Sequence, residues 1–342
     1  VVATSGSPLE ERAASLGLSR PEWRDLLSER PDRALRAVGR LRAAVRGGAV
    51  SAVFVYTGGG HLAAALAMRG GPAPLLRARP EIRRPARGPV ASWLHGSASD
   101  RILIPGNFMR RGYFEHLGIE PQRIRRLPAG IDLEPVRRID RQAARSRLRA
   151  AGGWDLEAPV VGMLARYSPV KGHDTLVRAA RILADRFPSA RFLAAGPEGQ
   201  TGRARVREWI AMAGLTDRFA ALDPVADPLE TAAGFDVAVI ASTGSEAVCR
   251  SALEYMALGV PIVATRVHVI PETVGDAGIL VSAGAPEELA DAIGSIVEDP
   301  ARAAELGRAG LERVRREFDL GVVAAQAAAI VEEARRERET NV

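Results

Sequence analysis

The sequence predicts an α/β protein of two domains, each built around parallel strands. Three observations carry this expectation. The chain has 342 residues, more than the roughly 100–200 of one ordinary domain. From about residue 159, short apolar runs alternate with longer amphipathic ones, the pattern of strands separated by crossover helices. Several of the apolar runs end in glycine-bearing turns, at the carboxyl ends of strands where such sheets hold ligands. Composition agrees: 47% hydrophobic and 26% charged residues exclude a disordered tail or a collagen. No apolar run approaches the ~20 residues of a spanning helix. The single cysteine, Cys249, makes neither an intrachain disulfide nor a cysteine-rich metal site, and fits a reducing, cytoplasmic compartment.

In order, residues 8–16 and 33–46 read as amphipathic helices. The β-branched or aliphatic runs at 52–56, 74–77, 101–105 and 124–128 read as strands. The Pro- and Arg-rich stretch 78–89 reads as a loop. Residues 129–159 have little strand character and a Gly152-Gly153 pair, and read as the connection between domains. Strands then follow at 160–164, 191–195, 219–222, 236–241, 261–265 and 277–281. Helices are expected at 173–187, 203–213, 228–233, 248–258, 286–298, 301–318 and 320–338, the last with a Glu- and Arg-rich polar face. The expected domains are 1–135 and 155–320, with 321–342 a helix packing back toward the first domain.

Charge is uneven. Residues 1–150 carry a net +14 and residues 151–342 a net −8. A basic half suits an anionic partner: a membrane surface, a phosphorylated substrate or nucleic acid. The first two are retained as a peripheral membrane contact and a phosphorylated or lipid-linked acceptor. Nucleic acid is set aside, because no recognition motif accompanies the charge. Of the 47 basic residues 46 are Arg, and the one Lys is Lys171. A compact ammonium is retained where a planar guanidinium does not serve.

The sequence has no Gly-x4-Gly-Lys-Ser/Thr loop, no Gly-x-Ser-x-Gly elbow, no His-Glu-x-x-His and no Asp-x-Asp. Gly58-Gly59-Gly60-His61-Leu62-Ala63 matches a dinucleotide fingerprint, with Glu81 as the following acid, but the sequence around Glu81 is not a strand end and the glycines read as turn chemistry. His61, His95, His116, His173 and His268 have no metal-ligand spacing, and no metal is expected.

A stronger constellation lies in the second half. After the strand that contains Gly162 come Arg166 and Lys171, five residues apart, beyond a strand end, where two cations neutralise a diphosphate without metal. Gly196 begins another strand-end turn. Ser242-Thr243-Gly244-Ser245-Glu246-Ala247 then leads into a helix expected from Val248, whose first amides, Val248 to Ser251, are an anion site. Glu246 and Glu254 bracket that helix start, and a carboxylate accepts two hydroxyl donors at once, as a ribose or sugar diol requires. Cys249 reads as packing at the helix start.

Gly162-x3-Arg166-x4-Lys171-Gly172, Glu246-x7-Glu254 and Ala257-Leu258-Gly259-Val260-Pro261-Ile262-Val263-Ala264-Thr265 together resemble the family-4 glycosyltransferases, with support from Leu127-Pro128-Ala129-Gly130-Ile131-Asp132, Pro271-Glu272 and Gly278-Ile279-Leu280-Val281. The resemblance runs from about residue 98 to 318 and is fainter before that. It implies a GT-B fold, two Rossmann-like domains facing across a cleft, and retaining transfer from a nucleotide-diphosphate sugar. By texture the nearest members build bacterial lipopolysaccharide and other surface glycans, which implies a glycan or lipid-linked acceptor. It further implies Arg166 and Lys171 on the diphosphate, Glu246 on the transferred sugar and Glu254 on the ribose. Arg166, Lys171 and Glu246 thereby become the catalytic set. Gly196 and the stretch Val248, Cys249, Arg250 and Ser251 join them in donor binding. Residues 1–18 resemble the segment after the family's opening strand-loop-helix unit, so the first domain is expected to be incomplete at its start. The segment Leu76-Arg77-Ala78-Arg79-Pro80-Glu81 lacks the His many members place there, and no catalytic base is assigned. A nucleotide-sugar isomerase or hydrolase and a non-catalytic nucleotide-binding fragment are the alternatives.

Overall fold

The computed structural model describes residues 31–340, and the helix expected over 8–16 lies outside the described residues. The chain divides into two compact units, Val1–Leu127 with Ala325–Val342, and Pro128–Ala324.

The first unit alternates α1 (Pro31–Arg46), β1 (Val53–Val55), α2 (Gly58–Met68), β2 (Leu75–Ala78), α3 (Pro89–His95), β3 (Arg101–Ile104), α4 (Arg110–Leu117) and β4 (Ile124–Arg126). Its four strands run parallel in the order β1-β2-β3-β4. Leu41 and Val45 of α1 and Ala64 and Met68 of α2 close over Leu75, while Ile102 and Ile104 pack on Tyr113 of α4. The glycines after β1 form the first turn of α2, where Thr57 Oγ1 accepts from the Gly60 amide at 3.3 Å. A Cβ on Gly58 or Gly59 would meet nothing, so neither position is glycine for want of space. Helix α3 is too short to show a periodic stripe, which is why it is not legible in the sequence.

The second unit begins with α5 (Glu134–Arg137) and α6 (Arg141–Gly152). Both occupy the stretch read as an inter-domain connection, which is a correction. The sequence of α6 looks like solvated loop because its inward residues are arginines. Arg145 and Arg149 both pair with Asp236, and buried Arg149 also donates to the carbonyls of Ala158 and Gly234. The unit continues with β5 (Val160–Leu164), α7 (His173–Arg186), β6 (Arg191–Ala195), α8 (Arg203–Met212), β7 (Phe219–Leu222), α9 (Pro228–Ala233), β8 (Val237–Ile240), α10 (Arg250–Ala257), β9 (Ile262–Thr265), α11 (Ile270–Val274), β10 (Ile279–Val281), α12 (Pro286–Val297) and α13 (Pro300–Glu317). All six strands are parallel, in the order β10-β9-β8-β5-β6-β7. The order reverses between β5 and β8, the place where doubly wound sheets open a crevice at their carboxyl edge. Val161, Met163, Phe192, Val237 and Val239 form the centre of its core. Gly162 is required inside β5 because a Cβ there would lie 2.2 Å from the Phe235 ring.

The last helix, α14 (Leu320–Thr340), belongs from Ala325 onward to the first unit. There Ile330 and Val331 cover Leu76 and Leu103, Glu333 pairs with Arg101 and Arg125, and Arg338 Nε donates to Asp100 at 2.6 Å. Among the described residues no helix is long and apolar enough to cross a membrane.

Candidate functional site

Two loops meet where the second sheet reverses. The β5 loop leaves Leu164, tightens into a 3₁₀ turn over Pro169–Lys171 and passes through Gly172 into α7. Gly172 has φ +70°, and a Cβ would lie 2.0 Å from the Ala241 carbonyl oxygen, so only glycine brings the β5 loop this close to the end of β8. The Thr243 amide donates to the Val170 carbonyl at 2.9 Å and fastens the second loop to the first. Buried Tyr167 anchors the β5 loop from beneath, its one hydroxyl proton shared between the carbonyls of Ala194 and Leu222 at 2.9 and 2.7 Å.

The result is a cavity of about 140 Å³ lined by Leu164, Ala165, Arg166, Lys171, Ser242, Glu246 and Ser251, among others. Lys171 Nζ donates to Glu246 Oε1, and Ser242 Oγ donates to the same oxygen at 2.6 Å. Glu246 is 4% exposed, and among the described residues both of its side-chain hydrogen bonds go to Oε1, leaving Oε2 to a ligand or water. Arg166 is exposed and has no ion pair among the described residues. The cavity thus offers a free guanidinium, an ammonium with spare donors and a buried carboxylate oxygen with spare lone pairs.

Glu246 is held from three sides. Its amide donates to His268 Nδ1 at 3.4 Å and its carbonyl accepts from the Val269 amide at 3.2 Å. Thr265 Oγ1 donates to the Ser242 carbonyl at 2.6 Å. Among the described residues the non-glycine residues with positive φ are Ser245, at 60°, and His268, at 47°. They lie immediately before Glu246 and against it. Each costs about 1–2 kcal/mol relative to an ordinary conformation, strain of the kind that gathers at functional sites. Thr265 and His268 position the site, and neither has a role legible in the sequence: Thr265 stands only as the last residue of an apolar motif, His268 lies outside the motifs, and backbone strain leaves no compositional mark.

The cavity gathers Arg166, Lys171, Glu246 and Ser251, but not the other expected donor-binding residues. Helix α10 starts at Arg250 rather than Val248, because Cys249, with φ −91° and ψ 78°, is not helical. The first-turn amides available are consequently Arg250 and Ser251. Val248 and Cys249 precede the helix. Cys249 is buried and its thiol is pushed up to about 12 by that burial, so it remains a protonated packing group. Gly196 has a backbone reason for being glycine: a Cβ there would lie 2.1 Å from the Ala165 carbonyl oxygen. It sets the β6 turn against the β5 loop and does not line the cavity. Glu254 lies one turn along α10, outside the cavity lining, with Arg250 Nε donating to it at 3.1 Å. Burial pushes its carboxyl above the ordinary value, while Arg250 opposes the shift. Among the described residues no three His, Cys, Asp or Glu side chains converge as a metal site would require.

Two parallel-sheet units, the second doubly wound with charged groups beyond its strand ends, match the GT-B class of fold. The solved structures agree. A glycosyltransferase of Rickettsia africae matches with TM-score 0.80 and 18% identity, covering 96% of this chain and 88% of that one. HepE of Anabaena, in complex with UDP and glucose, matches with TM-score 0.74 and 21% identity over 95% and 89%. At these identities the likeness shows the fold.

Residues 144–313, all within the second unit, match the model of the family described as glycosyl transferases group 1. Curated relatives include the D-inositol 3-phosphate glycosyltransferase of Rhodococcus opacus, 34% identical over 61% of this chain and 48% of the relative. The enzyme of that name from Acidothermus cellulolyticus is 31% identical over 69% and 54%. The chain spans about half the length of the curated relatives it matches.

Proposed function

We propose that the chain is a retaining glycosyltransferase that moves a sugar from a nucleotide-diphosphate sugar to a phosphorylated or glycan acceptor without a divalent metal. One observation carries the reading: Arg166, Lys171 and Glu246 share a cavity at the carboxyl ends of β5 and β8, where the sheet order reverses. As the bond from the sugar to the diphosphate breaks, negative charge collects on the leaving phosphate. Arg166, Lys171 and the first amides of α10 are in place to stabilise it without reorganising. Glu246 Oε2 orients hydroxyls of the transferred sugar, and Glu254 takes the ribose. The cavity holds only the reacting end of such a donor.

Support for the donor class comes from the match of residues 144–313 to the glycosyl transferases group 1 family and from HepE, whose structure contains UDP and glucose. For the acceptor, the curated relatives are named for inositol 3-phosphate, and the net +14 of residues 1–150 suits a phosphorylated molecule, free or lipid-linked at an anionic surface. Surface-glycan precursors belong to the same acceptor panel. The test is calorimetric titration of the intact chain with UDP, GDP, ADP and their sugars, then product analysis with and without acceptor. Nucleotide binding weakened by Lys171→Ala, with sugar transferred in excess EDTA, is the expected result. Absence of binding by any nucleoside diphosphate, or binding indifferent to Lys171→Ala, overturns it. Turnover of donor alone would mean hydrolysis or isomerisation instead.

A further inference from the structure

Strand β2 is interior to the first sheet, flanked by β1 and β3. Such a strand is covered on both faces and is ordinarily apolar throughout. Here it carries Arg77, and Arg79 follows on the same face, two residues on, with its amide still bonded to the Leu103 carbonyl at 2.9 Å. Arg77 is 2% and Arg79 9% exposed. Among the described residues each guanidinium makes one hydrogen bond: Arg77 Nη1 donates to the Val55 carbonyl at 3.0 Å, and Arg79 Nη2 to the Arg83 carbonyl at 2.7 Å. Their Nε atoms have no partner, and among the described residues neither forms an ion pair. Glu81, which influences Arg77 electrostatically, is exposed.

The surroundings add neutral polar groups rather than carboxylates. The Tyr113 hydroxyl and His95 Nδ1 are buried without a partner, and the two rings meet edge to face with centroids 5.6 Å apart. His61 packs on His95 at 5.1 Å and is already satisfied by Ser99 Oγ at 2.7 Å. Desolvation and the two arginines hold both imidazoles neutral, His61 near 3 and His95 near 4. Burying one unpaired guanidinium is costly, and placing a second beside it adds like-charge repulsion. A dianion removes both costs, and guanidinium forks match phosphate oxygens.

We infer that Arg77 and Arg79, with the Tyr113 hydroxyl and His95 Nδ1, form a binding site for a phosphate monoester at the carboxyl end of β2. This site deepens the transfer reading by making the acceptor a phosphate ester, and it rests on that reading only for the word acceptor. The binding itself is independent of it.

The test uses the intact chain carrying Lys171→Ala, so that the donor loop contributes little, titrated with inorganic phosphate and, as monoanion control, acetate. Phosphate binds and acetate does not. Adding Arg79→Gln or Arg77→Gln weakens phosphate about tenfold or more, the loss expected for a charge-assisted contact, while Arg79→Gln in the otherwise unaltered chain leaves nucleoside diphosphate affinity unchanged. Equal phosphate affinity with and without Arg79 overturns the proposal. Should the arginine variants not fold, the wild-type His95 ring resonances report instead: they shift with phosphate and stay put with acetate, and no shift overturns the site. Glycerol 3-phosphate and phosphatidic acid vesicles distinguish a soluble ester from a lipid-borne one, and binding of neither overturns it. Phosphate binding lost with Arg79 in a chain that binds no nucleotide keeps this site and removes the transfer reading alone.

Discussion

Replacing Lys171 with Met leaves the buried Glu246 carboxylate with the Ser242 hydroxyl and without its cation. Breaking a buried ion pair on one side costs about 3–5 kcal/mol. Lys171 is not fully enclosed, its side chain being 27% exposed against 5% for Glu246, and water reaching the vacated position reduces the expected loss to about 2–3 kcal/mol. Glu246→Gln keeps the shape and leaves a partly exposed ammonium that water solvates, so it costs about 1 kcal/mol. In the double variant the unpaired carboxylate is gone, and total destabilisation falls short of the sum by about 1.5 kcal/mol or more. The assay is urea denaturation of the four chains, following the transition of the second unit, which contains Trp154 and Trp209. Additivity within about 0.5 kcal/mol refutes the claim that the two side chains form one unit, and with it the argument that Glu246 is preorganised by Lys171. Lys171→Arg should recover only part of the coupling, because a planar fork does not reproduce a point charge beside one carboxylate oxygen.

Glu254→Gln should weaken free nucleoside diphosphate about 10- to 150-fold, the loss of hydrogen bonds to a charged group, while Glu246→Gln leaves it nearly unchanged and lowers transfer; equal effects on nucleotide binding refute this division. Gly196→Ala forces a Cβ against the Ala165 carbonyl at 2.1 Å and should displace the Arg166 loop, lowering donor affinity about tenfold or more, as read by calorimetry; unchanged affinity refutes it. His173 is held near 4 by burial first, below the ~6.5 of an unfolded chain. The unfolded state therefore binds the extra proton, and stability is full above about pH 6.5 and lost as pH falls toward 4. His173→Phe, which retains a ring against Tyr167, should flatten that loss in urea midpoints measured between pH 7 and 5, and an unchanged slope would count against it.

Much of the second unit is legible because its strands are unbroken apolar runs such as Val160–Leu164 and its helices are long enough to show a stripe. The first unit is harder to read, since α3 and α4 are short and β2 interrupts its apolar run with arginine. The segment 129–159 is misread for a related reason. Inward residues of α6 are arginines, and their half-buried partner, Asp236, lies far along the chain. Pattern reading counts such residues as solvent-facing, whereas a fold can bury a guanidinium once a carboxylate and several carbonyls surround it.

The sequence by itself determined the alternation of strand and helix, the glycines without which two loops could not approach, and the residue types around a diphosphate-sized charge. It did so because periodicity, turn chemistry and charge are local properties. Only the tertiary structure decided that Lys171 and Glu246 hold each other, that Gly196 packs against the Ala165 carbonyl, and that α10 begins at Arg250. Those are consequences of strand order, which brings the ends of β5 and β8 together across some 75 residues of chain. The same holds for Arg77 and Arg79: in sequence they are two among many arginines, and only burial on and just after an interior strand makes them cations without a carboxylate among the described residues.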